Sequence, residues 1–410
     1  MRNEFSNATI ITKKEHNIFK KNIDKRAIST ICQLKKAGFD AYIVGGGVRD
    51  LLLNQKPKDF DIATNAHPQE IKKLFRNCRL IGKRFRLAHI FFGNYIIEVA
   101  TFRADNTDDA SDAHRKSQHG IILRDNIYGT IVDDAIRRDF TINALYLDID
   151  SFCLLDFSRG FADFKNKTLR IIGDANVRYQ EDPIRMLRAI RFSAKLNFTL
   201  EENTKKEILK LAPFLKHISA SRIYDELLKI IFSGTLAQAF ELLLEYKLAE
   251  YLFADIEKII HKQKFSAKEF IVAAFTQTDK RIQQEQTITP AFIFAATLWH
   301  AIITDYENHK AQDENSNSAN LLQFDAIIKN YLTKQKKLTN MTRIISASTR
   351  EILLLQYKLE ERRYKNLKKV LSHPRFRAAY DLLILRSHFE KSLRSTVTWW
   401  KVQVENKPLP

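Results

Sequence analysis

Residues 42–64 read YIVGGGVRDLLLNQKPKDFDIAT, and this stretch decides the fold. The apolar run from Ala41 to Val44 predicts a short buried strand. Gly45-Gly46-Gly47 ends it in a tight turn leading into a helix over Val48 to Leu53, and Lys58 to Thr64 predicts the next strand. A glycine turn between strand and helix lets backbone N–H groups approach an anion, and the helix dipole adds favourable potential. The turn therefore reads as a phosphate seat, with Gly46, Gly47 and Arg49 as its candidates. It is not a Walker A loop, because no Gly-Lys-Ser/Thr follows, and it lacks the G-x-G-x-x-G of a dinucleotide fold. Such a turn alone is more often only a turn, but Asp59 and Asp61 change the weighing. On a strand, residues two apart point to the same face, so two carboxylates stand side by side and repel unless a cation joins them. That pairing suits a hard cation such as Mg²⁺, whose oxygen shell is completed by water and substrate phosphate.

Two further clusters extend the pattern. Arg137-Arg138-Asp139-Phe140-Thr141 lies where a helix over Ile131 to Arg138 passes into a strand over Thr141 to Ile149. If that strand neighbours the first, Asp139 supplies a third carboxylate and the arginines face phosphate oxygens. Three carboxylates beside a phosphate seat are the equipment of two-metal phosphoryl transfer: one ion lowers the pKa of an attacking hydroxyl, the other stabilises leaving pyrophosphate. Taken alone, this cluster is an ordinary surface ion pair. The third cluster begins at Asp182-Pro183, an ordinary helix start. A helix start does not explain Arg185, Arg188 and Arg191 at every third position, opposite an apolar stripe of Ile184, Leu187 and Ile190. A cationic ridge of this kind would be functional beside a nucleotide.

The surrounding composition frames these clusters. The chain has 410 residues, 45% of them apolar, enough for two to four domains with ordinary cores. Lys and Arg total 67 against 48 Asp and Glu, a formal charge of +19, which fits either a solvated basic surface or a polyanionic partner. Cys32, Cys78 and Cys153 are odd in number and widely spaced, which argues against a disulfide frame or zinc cluster and for a reducing compartment. Residues 1–14 lack a signal-peptide pattern, and no apolar run reaches the roughly 18 to 20 residues of a membrane span; Ala291 to Ile303 reads as a buried helix. A cytoplasmic protein without membrane insertion is expected. Most glycines precede Asp174, in a region of short β-branched runs and amphipathic stretches; beyond it Leu, Ile, Lys and Arg dominate. The expectation is an α/β part followed by an all-α part. Arg26 to Lys36 and Pro68 to Phe75 read as helices, and Leu87 to Phe92 and Tyr95 to Phe102 as a strand pair turning at Gly93-Asn94. Residues 104–126 read as a long loop and Asn308 to Asn320 as a polar linker.

In this order, the three clusters resemble the class II nucleotidyltransferases of the DNA polymerase β superfamily, the group that contains bacterial poly(A) polymerases and CCA-adding enzymes. The resemblance spans about residues 8 to 250. It implies an α/β nucleotidyltransferase head, a mixed sheet with flanking helices, followed by an all-α neck and body. The expected boundaries are a polar arm over 1–24, the head over 25–173, the neck over 174–245, an RNA-binding body over 246–400 and a tail over 401–410. The family pattern G-G-x-V-R-D followed by D-x-D implies that Asp59 and Asp61 bind two Mg²⁺ ions, with Mn²⁺ as a substitute, and that Asp139 completes the site with Arg137 and Arg138 near the triphosphate. The E-D-x-x-R element implies that Asp182 and Arg185 read the incoming base, with Arg188 and Arg191 alongside in the nucleotide site. ATP and single-stranded RNA 3′ ends are the implied substrates, and a monomer is the default.

All three clusters are shared by CCA-adding enzymes, so the branch rests on other residues. The stretch Leu80-Ile81-Gly82-Lys83-Arg84-Phe85-Arg86-Leu87-Ala88-His89-Ile90 looks like the poly(A) polymerase signature, where CCA-adding enzymes more often carry Gly-Thr after the Phe. Asn77 to Arg103 and Leu123 to Asn126 also fit that branch, and the His-Asp pair of an appended phosphohydrolase is absent from the sequence. The expected activity is template-independent addition of AMP to RNA 3′ ends. The alternatives are CCA addition and a non-catalytic RNA-binding protein on the same fold, against which the intact carboxylates argue. Bacterial poly(A) polymerases often end in a basic low-complexity tail, whereas this sequence ends VTWWKVQVENKPLP, so RNA contact is expected from the folded part. Lys334 to Arg377 carries thirteen Lys or Arg against three Asp or Glu. Its candidates are Lys334, Lys336, Lys337, Arg362, Arg363, Lys365, Lys368 and Lys369; a solvated helical face is the plain alternative.

Overall fold

The segment read as a loose arm supplies the first strand of the sheet. In this computed structural model, which describes residues 7–82, 86–104, 114–116, 122–125, 127–262, 266–312, 320–361 and 367–405, β1 (Thr9–Ile11) pairs antiparallel with a later strand, setting Ile10 opposite Leu155. Ile11, Ile18 and Ile23 are buried in the head core, and burial of three isoleucines outweighs the ordering of a short polar segment. The remaining strands are β2 (Ala41–Val44), β3 (Asp61–Thr64), β4 (Cys78–Ile81), β5 (Leu87–Phe92), β6 (Tyr95–Thr101), β7 (His114–Lys116), β8 (Ile122–Asp125), β9 (Leu145–Leu147), β10 (Leu154–Asp156), β11 (Thr168–Leu169) and β12 (Thr199–Leu200).

Eight of them form one mixed sheet in the order β1-β10-β9-β2-β3-β6-β5-β4, in which only β3 and β6 run parallel. Strands β5 and β6 form the hairpin expected around Gly93-Asn94. Part of the expected long loop is instead a second hairpin, β7 with β8, and the rest of it lies outside the described residues. The helix Lys25–Lys36 is capped by Asp24, whose side chain accepts from the Arg26 amide at 2.8 Å, and it buries Ala27, Thr30, Ile31 and Leu34.

The chain divides into two units, residues 1–189 with 197–211 and residues 190–196 with 212–410. In the second unit, the described residues from Ala220 to Glu405 are mostly helical, the all-α character expected from composition. Phe240, Phe253 and Phe275 form a cluster in which Phe240 meets the other two edge-on, with ring centroids 5.0 and 5.9 Å away. The helix Pro290–Gln312 contains the apolar run Ala291 to Ile303, with Trp299 fully buried, and it continues through part of the expected linker; residues 313–319 lie outside the described set. Among the described residues, no helix is long and apolar enough to cross a membrane.

Candidate active site

The glycine turn is tighter than expected. Gly45 carries φ 67° and ψ −133°, a conformation open to glycine, and Gly46 and Gly47 are already the first residues of the helix Gly46–Leu52. A Cβ at Gly45 would lie 3.6 Å from both Asp61 Oδ2 and Arg138 Nη1, so the turn, a carboxylate and a guanidinium converge there. The strand carrying the aspartates is shorter than expected. It starts at Asp61, which pairs with Val44, the last residue of β2. Beyond Val44 the chain turns away at Gly45, so β2 offers Asp59 no ladder partner. The two aspartates therefore do not alternate along one strand: Asp59 lies in the irregular approach and Asp61 opens the ladder.

Electrostatics still joins them. Burial pushes the Asp61 carboxyl up to about 6, with Glu98 and then Asp59 adding repulsion, while Arg138 and Arg49 pull the other way. Glu98 escaped the sequence reading. It is the direct cross-strand partner of Asp61 on β6, and its own oxygen lies 3.4 Å from His89 Nε2. The available signal was a single acid within the apolar strand YIIEVAT, whose neighbours Ile97 and Val99 are buried. Three hard oxygen donors with an excess of negative charge fit a divalent cation. Among the described residues no three His, Cys, Asp or Glu side chains form a ready-made cage, so phosphate oxygens and water would have to complete the shell.

Asp139 occupies a different setting. The expected strand from Thr141 is a 3₁₀ turn, Thr141–Asn143, followed by the short β9, because the Thr141 hydroxyl donates to Asp163 at 2.8 Å and its amide to the Arg170 carbonyl at 3.0 Å. Asp139 accepts from Asn143 Nδ2 at 3.1 Å, from the Phe140 amide at 2.8 Å and from Arg188 Nε at 2.7 Å. Arg188 and these hydrogen bonds outweigh burial and hold its carboxyl down at about 2. Among the described residues neither Asp139 nor Glu98 forms a ready-made three-carboxylate cage with Asp59 and Asp61. Asn143 links the two settings, since its Oδ1 accepts from Arg49 Nη1 at 2.9 Å. Arg138 is braced from below: Asp134 accepts from its Nη2 at 2.8 Å and from the Tyr146 hydroxyl at 2.6 Å, and that hydroxyl accepts from Arg138 Nε at 2.9 Å. Arg137 instead donates to the Ala104 carbonyl at 3.1 Å.

The arginine ridge is ion-paired along its length. Arg185 donates to the Arg178 carbonyl at 2.7 Å and to Glu181 at 3.0 Å, Arg188 holds Asp139, and Arg191 donates to Glu226 at 2.5 Å. Asp182 closes the helix Ala175–Glu181, and its carbonyl accepts from the Arg185 amide at 3.0 Å. In the helical unit Lys334, Lys336 and Lys337 are exposed near the end of the helix Asn320–Thr339, with Lys334 paired to Asp255 at 2.7 Å. Lys368 and Lys369 are exposed on the helix Leu367–Leu371; Arg362, Arg363 and Lys365 lie outside the described residues.

This head, with paired carboxylates facing a glycine turn, is that of a nucleotidyltransferase. A tRNA nucleotidyltransferase crystallised with a primer tRNA and an incoming ATP analog matches the fold with a TM-score of 0.61 over 93% of this chain and 100% of that one, at 23% identity. Residues 41–170 match the family model for the poly A polymerase head domain, 197–260 that for the probable RNA and SrmB-binding site of polymerase A, and 317–408 that for the polymerase A arginine-rich C-terminus. Poly(A) polymerase I of Salmonella typhi is 42% identical over 96% of this chain and 85% of its own length. A CCA-adding enzyme of Lactobacillus helveticus is 38% identical over only 55% of this chain and 54% of its own. The chain belongs to the bacterial poly(A) polymerase family, and it is an adenylyltransferase with poly(A) polymerase activity.

Proposed function

We propose that the chain adds AMP from ATP to single-stranded RNA 3′ ends without a template, releasing pyrophosphate, and that Asp59 and Asp61 carry the two Mg²⁺ ions this requires, with Mn²⁺ as a substitute. The observation behind this reading is the raised Asp61 carboxyl beside Glu98, Asp59 and the glycine turn, a concentration of negative charge that a divalent cation relieves. When bound, the metal supplies activation of the 3′-hydroxyl and stabilisation of the leaving pyrophosphate. The amides of Gly46 and Gly47, at the start of their helix, face the triphosphate with Arg49 and Arg138, and Asp134 with Tyr146 holds Arg138 in place. Glu98, the cross-strand partner of Asp61, and Asp139, which Arg188 holds, are the candidate third carboxylates, and Asp139 takes that role where Arg188 releases it. Arg137 stands at the outer edge of the triphosphate site. Asp182 and Arg185 read the base, and Arg185 reaches it by exchanging its bond to Glu181. A cytoplasmic, monomeric enzyme is part of this reading.

Product analysis tests it. Purified protein given ATP alone and an unstructured RNA should build a long A tract; a product limited to C, C and A on truncated tRNA would reverse the assignment. The exposed Lys336 and Lys337 are proposed to contact RNA, together with Lys334, Lys368, Lys369, Arg362, Arg363 and Lys365. Each phosphate that they neutralise should add about 0.7 to the slope of log K against log salt. Lys336→Glu with Lys337→Glu should flatten that slope by about 1.4, and an unchanged slope would reject these lysines.

A further inference from the structure

The helical unit contains a cavity of about 540 Å³ that nucleotidyl transfer at the carboxylates does not use. Its wall carries Lys280 and Arg281 from the helix Ser266–Gln283, Arg375 and Arg377 at the start of the helix Phe376–Phe389, and Asp381 further along the same helix. Asp381 does not balance the four cations. Both of its oxygens are engaged, Oδ2 with Arg281 Nη1 at 2.7 Å and Oδ1 with Arg377 Nε at 3.1 Å, and the wall keeps an excess of three positive charges. Arg281 and Arg375 each have a buried Nε without a hydrogen-bond acceptor among the described residues, that of Arg375 standing 3.5 Å from Glu351. Those two Nε atoms are closed off from the cavity, so a ligand's oxygens would have to meet the terminal nitrogens of these arginines.

The same lining includes the apolar side chains of Ile288, Ile384 and the half-buried Phe292. Guanidinium forks select phosphate oxygens, and an aromatic face takes a base of any identity. The size lies within the roughly 300–1,000 Å³ of small-ligand pockets. We propose that this cavity binds one nucleoside-phosphate unit of the single-stranded RNA substrate, its phosphate on Arg281, Arg375 and Arg377 and its base against Phe292. The charge excess exceeds what one phosphodiester neutralises, which favours a strand whose next phosphate meets Lys280 at the exposed rim. This inference rests on the reading of the chain as an enzyme that extends RNA.

The test measures binding of fluorescein-labelled decaadenylate and of AMP to the full chain carrying Arg377→Glu, Lys280→Glu or Phe292→Leu, with thermal unfolding as the check on folding. The first two positions are exposed, so these variants are expected to fold. Decaadenylate should bind about tenfold more weakly to each charge variant and about fivefold more weakly to Phe292→Leu, with a smaller loss for AMP, which lacks the neighbouring phosphates. The salt slope should fall for the charge variants and stay constant for Phe292→Leu. Unchanged decaadenylate affinity in the folded charge variants overturns the proposal. Sensitivity to charge with none to Phe292→Leu also overturns it, because that is the behaviour of a basic surface without a base pocket. Equal losses for AMP would assign the cavity to free nucleotide and overturn the RNA assignment. A wild-type protein that binds decaadenylate through these residues yet fails to extend it with ATP overturns the enzymatic reading and leaves the pocket standing.

Discussion

Asp61→Ala should remove turnover by at least about a thousandfold while raising the melting temperature, because the carboxylate stabilises the transition state through metal and destabilises the metal-free fold. The second half follows from its environment. A carboxyl moved from 3.8 up to about 6 by burial, Glu98 and Asp59 opposes its own ionisation in the folded state. At neutral pH that opposition is on the order of 3 kcal/mol, part of which the alanine recovers. The sign with pH is fixed. The folded state holds this proton more tightly than the unfolded chain, so the group favours folding below about pH 4, and that contribution is lost as pH rises through about 6. In metal-free buffer, the melting-temperature gap between Asp61→Ala and the wild type should therefore widen from pH 4 to pH 7. Near-normal activity, or a gap that closes with rising pH, would contradict this account of Asp61.

Gly160→Ala should cost the head about 3 kcal/mol or more, read as a drop in the urea midpoint of its unfolding. A Cβ at Gly160 would meet the Thr141 carbonyl oxygen at 2.2 Å and its carbon at 2.9 Å, both backbone atoms that cannot rotate aside. Nor is the helix Gly160–Lys165 free to retreat. The Asp156 carboxylate accepts from the amides of Ser158, Gly160 and Phe161 at 2.9 to 3.0 Å, pinning the helix start beside the sheet. Thr141 begins the turn that ends at Asn143, so whatever relief the backbone finds also shifts the hydrogen bonds to Asp139 and Arg49. Lost activity should accompany lost stability; a variant with both unchanged would show that the close approach is absent in solution.

These two residues show where the sequence was legible and where it was not. Asp61 was readable because a paired aspartate after a glycine turn is a local pattern and asks for a cation by simple charge repulsion. Gly160 was not, because its requirement comes from Thr141, nineteen positions away, and no local signal marks a close approach. The same division holds for Glu98 and Asn143. Each gains its importance from a partner on another strand or helix, Asp61 in one case and Arg49 in the other. Strand lengths failed for a related reason. The apolar content around Asp59 and Thr141 permits extended chain, but a strand lasts only as long as its neighbour, and β2 ends at Val44. The arginine stripe on Ile184–Leu196 shows the limit of charge counting, because Glu181, Asp139 and Glu226 come from outside that helix to meet it.

The pairing of β1 with β10 has a consequence for self-association. Without residues 9–11, β10 would end the sheet as a bare edge, presenting unpaired N–H and C=O groups to any other chain with a free strand. Ile10, more than half exposed on β1, would be lost together with the buried Ile11 beside it. A strand of three residues thus covers a margin of its own length, Leu154 to Asp156, and becomes the exposed end of the sheet in its place.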